Sequence, residues 1–251
     1  MAGQGDVERV NRKIADDIRT QIEDGTLTPG SEAPGENEII KQYDVSRTTA
    51  RAALAILKAE GLIEARQGVR GRIRAFQPIR RNATQRLAHT VWGEGKAIWD
   101  VDVPARTRAV DVVVSEVTDV PERILRVFGA TTGTSFCRRS RRYVVDDKPV
   151  MLAESHLLTD MVAGSPITQS DTGEGGTYAR LADLGFAPAH FREEIRVRMP
   201  NPVETKQLGL ATGAPVICIA RTAATADGTV VEINEMTLDA NSYLLEYDFS
   251  A

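Results

Sequence analysis

The sequence predicts an α+β protein in two parts. A small N-terminal helical unit ends in a β-hairpin. A larger, mainly antiparallel sheet carrying helices follows it. Three observations carry this. Val10, Ile14, Ile18 and Ile22 recur every four residues, the period of an amphipathic helix. Two apolar-rich pairs of runs flank turn residues at Asp146-Asp147-Lys148-Pro149 and at Asp227-Gly228, the pattern of hairpins. A chain of 251 residues is long enough for two ordinary domains. The expected division is 1–76, a linker at 77–95, and 96–251.

Taken in order, the first helix stops at Gly25 and at the Pro29-Gly30 turn. A short helix is expected from Glu36 to Tyr43, with Ile39 and Ile40 as its apolar residues. Asp44-Val45 makes a tight connection. Ser46 is a good N-cap for a third helix, which runs to about Glu60 and ends at Gly61. Ala50, Ala53, Leu54 and Leu57 share one face of it, while Arg47, Thr48 and Arg51 point elsewhere and Thr49 borders them. Leu62 to Arg74 reads as two short strands around a glycine-containing tip, a wing.

Net charge is −4, against a globally basic nucleic-acid binder, but the distribution is uneven. Residues 1–81 carry a net +2 and the remainder −6. Residues 66–81 hold Arg66, Arg70, Arg72, Arg74, Arg80 and Arg81 without one acid. Two helices on a short turn, the second presenting Arg and Thr from its first turns, form a helix-turn-helix that enters the major groove. Arginine there can donate twice to guanine O6 and N7, and wing arginines can take phosphates or a minor groove. Without this context a solvated helix face is the better reading of the same arginines.

The spaced pieces Gly25-Thr26-Leu27-Thr28-Pro29-Gly30, Pro34-Gly35-Glu36-Asn37-Glu38-Ile39, Val45-Ser46-Arg47-Thr48-Thr49-Ala50-Arg51-Ala52-Ala53-Leu54, Glu60-Gly61-Leu62-Ile63 and Gln67-Gly68 resemble the GntR-family DNA-binding domain. The resemblance implies a winged helix-turn-helix that binds double-stranded DNA through Asn37, Ser46, Arg47, Thr48, Thr49, Arg51 and Gly68. Arg66, Arg70 and Arg72 join them as wing arginines. Ala33-Pro34-Gly35-Glu36 departs from the family's usual Leu-Pro-Ser-Glu. The wing, Gly68-Val69-Arg70-Gly71-Arg72-Ile73, is longer by one residue and more basic than usual.

In the second part, Pro121 opens a helix that Gly129 closes, and a strand from Phe136 to Val145 returns through Met151 to Leu158. Asn201-Pro202 starts another helix, ending near Gly209, before strands at Val216–Ala224 and Thr229–Leu238. The halves match at an offset of 81, which pairs Cys137 with Cys218, Asp147 with Gly228, Val150 with Val231 and Glu154 with Glu235. This points to a weak internal duplication. Glu154-Ser155, Tyr178-Ala179-Arg180-Leu181, Gly213-Ala214-Pro215-Val216 and Val231-Glu232 are similar to pieces of the UTRA domain of the HutC branch, which resembles chorismate lyase in fold. The resemblance implies a homodimer, a near-palindromic operator and a small-molecule effector, with an anionic molecule as the candidate, at Arg139, Arg141, Glu154, Tyr178 and Glu232. Glu174-Gly175-Gly176-Thr177, before the helix at Tyr178, adds backbone N–H groups suited to an anion. The Ser and Tyr of the family pattern near Gly176 and Leu238 are absent. That keeps open a second reading, a DNA-binding repressor or architectural protein that no longer responds to a ligand.

Other functions find little support. Ser155, His156 and Asp160 are adjacent in sequence without a nucleophile elbow, and Gly93-Glu94-Gly95-Lys96 lacks the pattern of a P-loop. No enzyme activity, cofactor or metal is expected, since His89, His156 and His190 show no ligand spacing. Met1 to Val10 has no apolar signal region, and no apolar run suits a membrane span. Two cysteines in strand-like runs fit buried thiols in a cytoplasmic protein.

Overall fold

The computed structural model describes residues 4–64, 70–74, 78–88 and 107–249. The chain divides into two compact units at Pro78/Ile79.

In the first unit, α1 (Gln4–Glu23), α2 (Glu36–Tyr43) and α3 (Arg47–Ala59) enclose Ile14, Ala15, Ile18, Ile39, Ala50, Ala53 and Leu57. The α2–α3 turn closes at Asp44, which takes the left-handed conformation (φ 50°) that a short polar side chain tolerates. Arg19 on α1 reaches both carboxylate oxygens of Glu60, at 2.7 and 2.8 Å, and so holds the end of α3. β1 (Ile63–Glu64) and β2 (Arg72–Ile73) pair antiparallel and bury Ile63 and Ile73 in the same core. A Cβ at Gly71 would lie 2.9 Å from Ile63 Cγ2, so only glycine lets the returning strand approach there.

The second unit is built on an antiparallel sheet in the order β4-β5-β6-β9-β8-β7: β4 Thr107–Val117, β5 Phe136–Val145, β6 Lys148–Leu158, β7 His190–Arg198, β8 Val216–Ala224 and β9 Val230–Asp239. Helices α5 (Glu122–Phe128) and α8 (Pro202–Leu208) cover one face, where Ile124 packs with Phe136 and Ile233, and Leu208 with Val216 and Cys218. The other face is covered by the segment between β6 and β7. It comprises α6 (Thr159–Val162), a 3-10 turn at Pro166–Thr168 and α7 (Gly176–Asp183), whose Val162, Ile167, Tyr178 and Leu181 pack on Cys137, Leu157 and Ala223. Both predicted hairpins and the helices at Pro121 and Pro202 are present. Edge strands β4 and β7 were not foreseen.

Two expectations are corrected. Within the stretch expected to be a linker, β3 (Ile79–Asn82) pairs in parallel with β10 (Tyr243–Glu246), and α4 (Ala83–Arg86) follows, capped by Asn82. The reason is non-local: β3 is held by a strand some 160 residues later, which periodicity within 77–95 cannot reveal. The duplication exists, as strand-helix-hairpin twice with β6 and β9 adjacent at the centre, but its register differs. The helices end alike at Gly129 and Gly209, both left-handed, with matching return bonds from Ala130 N to Leu125 O and from Leu210 N to Thr205 O. That register is shorter by one than the sequence match. A one-residue slip exchanges the faces of a strand, and Cys137 and Cys218 accordingly lie in cores on opposite faces.

Candidate nucleic-acid interface and ligand pocket

The start of α3 is set by Ser46, whose hydroxyl accepts from Thr49 N at 3.2 Å. Thr49, expected to face DNA, is turned inward. It is 6 % exposed, and its hydroxyl lies 2.9 Å from Ser46 Oγ. Ser46 and Thr49 thus spend their hydroxyls on the cap. Asn37, Arg47, Thr48 and Arg51 remain exposed. Arg51 Nε donates to Glu36 at 2.8 Å, Arg47 lies 4.0 Å from the same carboxylate, and Arg47 Nη2 donates to Asn37 at 3.3 Å. These contacts link the arginines of α3 to the N-terminal turn of α2. The Arg51 hydrogen bond, with the charge of Arg47 added, holds the Glu36 carboxyl below its ordinary range.

On the wing, Arg72 is exposed and has no ion-pair partner among the described residues. Arg70, expected to reach phosphate, has another role. Its Nε donates to Ala33 O at 3.1 Å, it pairs with Glu32 at 3.1 Å, and it pairs with Glu38, whose carboxylate also accepts from Gly35 N. It pins the wing to the start of α2. Sequence reading missed this because the three acceptors converge only in the fold. The expected contacts Arg66 and Gly68 lie outside the described residues, as do Gln67, His89 and the Gly93–Lys96 motif.

In the second unit a cavity of about 310 Å³ opens over the sheet beneath the 170–177 loop. Four of the five expected residues, Arg139, Arg141, Tyr178 and Glu232, line it. Tyr178 Oη donates to Glu232 at 2.7 Å, and burial pushes its phenol well above the ordinary value. Arg141 donates to Tyr143 Oη at 3.0 Å and to Ser155 Oγ at 3.1 Å. Arg139 donates to the carbonyls of Ile167, Gln169 and Ser170, so it clamps the loop. Burial, helped by the charge of Arg141, lowers its pKa. Gly175 and Gly176, at the start of α7, also line the cavity.

Glu154, the fifth, is elsewhere. It follows the opposite parity to Ser155 and lies on the other face, across from Glu235. There Glu154, His156 and Glu235 bring ligand-type atoms within 4.8 Å of one another, a grouping that the spacing of histidines along the chain did not show. Arg123 donates to Glu235, and Arg138 stands 4.0 Å from Glu154, so both carboxylates already face cations. Burial lowers the His156 pKa and favours the neutral ring. The cluster is an ion-pair network without excess negative charge. Arg221 and Asn234 line the cavity and were missed. In the structural register of the duplication, Arg221 is the counterpart of Arg141, the one signal that could have found it.

The comparisons with known proteins agree with this architecture. Residues 11–73 match the model for bacterial regulatory proteins of the gntR family, and residues 106–243 match the UTRA domain. The chain belongs to the GntR family. It is a DNA-binding transcriptional regulator with a C-terminal effector-binding UTRA domain, the HutC arrangement. This GntR-family regulator is 30% identical over 223 residues to an HTH-type transcriptional regulator of Mycobacterium tuberculosis, covering 88% of this chain and 78% of that one. It is 27% identical over 221 residues to the HTH-type transcriptional repressor NagR of Bacillus subtilis, covering 88% and 86%. The fold is similar to that of PhnF from Mycobacterium smegmatis, with a TM-score of 0.58 at 21% identity, covering 95% and 99%. No helix among the described residues is long and apolar enough to cross a membrane.

Proposed function

We propose that this regulator is a cytoplasmic, non-enzymatic repressor that binds a near-palindromic operator as a homodimer and responds to a small anionic effector. The observation that carries the DNA-binding part is the exposed group of Arg47, Thr48 and Arg51 on the first turns of α3 with Asn37 on the first turn of α2, and Arg72, which has no ion-pair partner among the described residues. Arg47 and Arg51 read base edges, while Thr48, the amide of Ser46 and Arg72 serve phosphates. Glu36 orients Arg51, and Asn37 orients Arg47, before DNA arrives, which lowers the entropy lost on binding. NagR, named a repressor, supports repression, as does the ease with which a bound dimer blocks polymerase.

The division of labour on the wing is testable. Arg72→Ala is expected to reduce the slope of log affinity against log salt by about one, the loss of one phosphate contact. Arg70→Ala should leave the slope near the wild-type value, because Arg70 is spent on Glu32 and Glu38. Equal slopes for Arg72→Ala and wild type would remove Arg72 from the interface.

Dimerisation is supported by β7, an edge strand whose outer side bears the exposed apolar Val197, with exposed Met199 and Val203 close by. A second copy, placed by a two-fold axis, would cover both edges at once. Light scattering of the full chain is expected to give twice 27.4 kDa, and Val197→Asp to shift it toward 27.4 kDa. An unchanged mass in the variant would move the interface elsewhere.

The effector part rests on the cavity lined by Arg139, Arg141, Tyr178 and Glu232, which favours a ligand-responsive regulator over one that has lost its ligand. Effector occupancy shifts the population between states that differ in operator affinity.

A further inference from the structure

The cavity contains more cationic charge than the protein neutralises. Arg139, Arg141 and Arg221 line it with two carboxylates, the buried Glu232 and the exposed Asp171, whose Oδ1 accepts from Gly173 N within its own loop. Glu193 lies opposite Arg221 on β7, but both of its oxygens are taken by Arg81. One positive charge is left without a counter-ion at the cavity wall, and buried unpaired charge is costly.

The three arginines are not equivalent. Arg139 is committed to loop carbonyls, and Arg141 uses Nε and Nη1 on Tyr143 and Ser155. Arg221 is 5 % exposed, and neither its Nε nor its Nη1 has a partner. Glu232 stands 3.9 Å from its Nη2, beyond a hydrogen bond, and its guanidinium lies 5.4 Å from the centre of the Tyr178 ring. Directly across from Arg221 in the sheet is Asn234, 2 % exposed, whose Oδ1 is also unpartnered. A buried donor pair and a buried acceptor thus sit side by side at the cavity wall.

Strand register gives the spacing. Arg139, Ser155, Asn234 and Arg221 form one row across β5, β6, β9 and β8, with Arg141 two residues along β5 from Arg139 on the same face. Three inter-strand steps separate the ends of the row by about 14 Å at Cα. The side chains of Arg141 and Arg221 therefore come in from opposite ends over a floor of Ser155 and Asn234.

We infer that Arg221 and Asn234 form a second acid-binding subsite, and that the effector is a small dicarboxylate with a hydroxyl or amino group beside one carboxylate. One carboxylate meets Arg141, the other meets Arg221, and the neighbouring O–H or N–H donates to Asn234. Two separated cationic poles suit two separated acids better than a phosphomonoester, which places both charges on one centre. A volume of about 310 Å³ suits a molecule of this size. The inference rests on the proposed effector pocket and names its ligand class.

The test is calorimetry on the full chain with malate, aspartate, succinate, lactate and inorganic phosphate. Malate or aspartate is expected to bind tightest. Losing the hydroxyl or amino group (succinate), or the second carboxylate (lactate), should each cost about tenfold. Arg221→Gln should bring malate affinity down to about that of lactate. Lactate or phosphate binding the wild type as tightly as the dicarboxylates, no dicarboxylate binding at all, or an Arg221→Gln protein with undiminished malate affinity would each overturn the subsite. If the variant does not fold, the wild-type ranking decides alone. The same samples are titrated with DNA from upstream of the gene. Retained DNA binding with a failed ligand ranking defeats only the subsite, whereas absent DNA binding defeats the regulatory reading beneath it.

Discussion

Glu193→Ala is expected to destabilise the sheet unit by about 3–5 kcal/mol, the usual result of stripping one partner from a buried ion pair. Arg81 has a fully buried side chain and Glu193 one that is 7 % exposed; Arg81 Nη1 donates to Glu193 Oε2 at 2.9 Å, and Nη2 donates to Oε1. Alanine would leave the guanidinium buried with no acceptor in place of that carboxylate. Replacing both partners, as Arg81→Met with Glu193→Leu, removes the charge altogether and should leave stability close to wild type or above it. The pair also sets a pH dependence. Burial alone would raise the Glu193 pKa, but the hydrogen bonds and charge of Arg81 outweigh it and depress the folded value. A depressed carboxylate contributes fully above its unfolded value of about 4.3, and the contribution is lost as pH falls through the lower folded value. Urea denaturation from neutral to acid pH should therefore show wild type losing its advantage over Glu193→Ala only below about pH 4.3. A single variant within about 0.5 kcal/mol of wild type at neutral pH would show the pair to be energetically idle.

Arg47→Ala and Arg51→Ala should each weaken binding to the cognate operator by about 1–3 kcal/mol, roughly 5- to 150-fold, if each guanidinium reads a base. Binding to unrelated DNA should fall much less, because the phosphate contacts elsewhere persist. This contrast separates base reading from charge. Loss of one phosphate contact lowers specific and non-specific affinity together, whereas loss of a bidentate base contact narrows the ratio between them. In the free protein Arg51 is hydrogen-bonded to Glu36 and Arg47 to Asn37, so the expected loss includes the pre-positioning as well as the contact itself. Cognate affinity unchanged in both variants would place base recognition elsewhere on the unit.

Much of this architecture was legible in the sequence, and the parts that were not share physical causes. The two hairpins were readable because Asp146-Asp147 and Asp227-Gly228 interrupt apolar-rich runs, and the three N-terminal helices because their apolar stripes are regular. β7 was hidden because an edge strand is exposed and charged: His190–Arg198 reads HFREEIRVR and looks like solvated chain. β3 was hidden because its partner β10 lies at the other end of the domain.

At the sites, the inward turn of Thr49 was available from helical period, since Ala53 and Leu57 follow it at successive four-residue steps and are both buried. Glu154 and Arg221 both hinge on strand parity. A duplication read one residue out of register hides the match between Arg141 and Arg221, and the resemblance that placed Glu154 in the pocket overlooked that it has the opposite parity to Ser155 and Arg139. Arg70 could not be resolved from sequence at all, because only the fold brings Glu32, Glu38 and the Ala33 carbonyl around it.

The central claim is that the start of α3 reads a specific DNA sequence. Its most direct test is fluorescence anisotropy of the full-length protein with DNA from upstream of its own gene, against an unrelated duplex of equal length at the same salt. The account predicts saturable binding to the upstream DNA with a preference of about a thousandfold or more. Equal affinity for both duplexes, or no binding to either at low ionic strength, would contradict it.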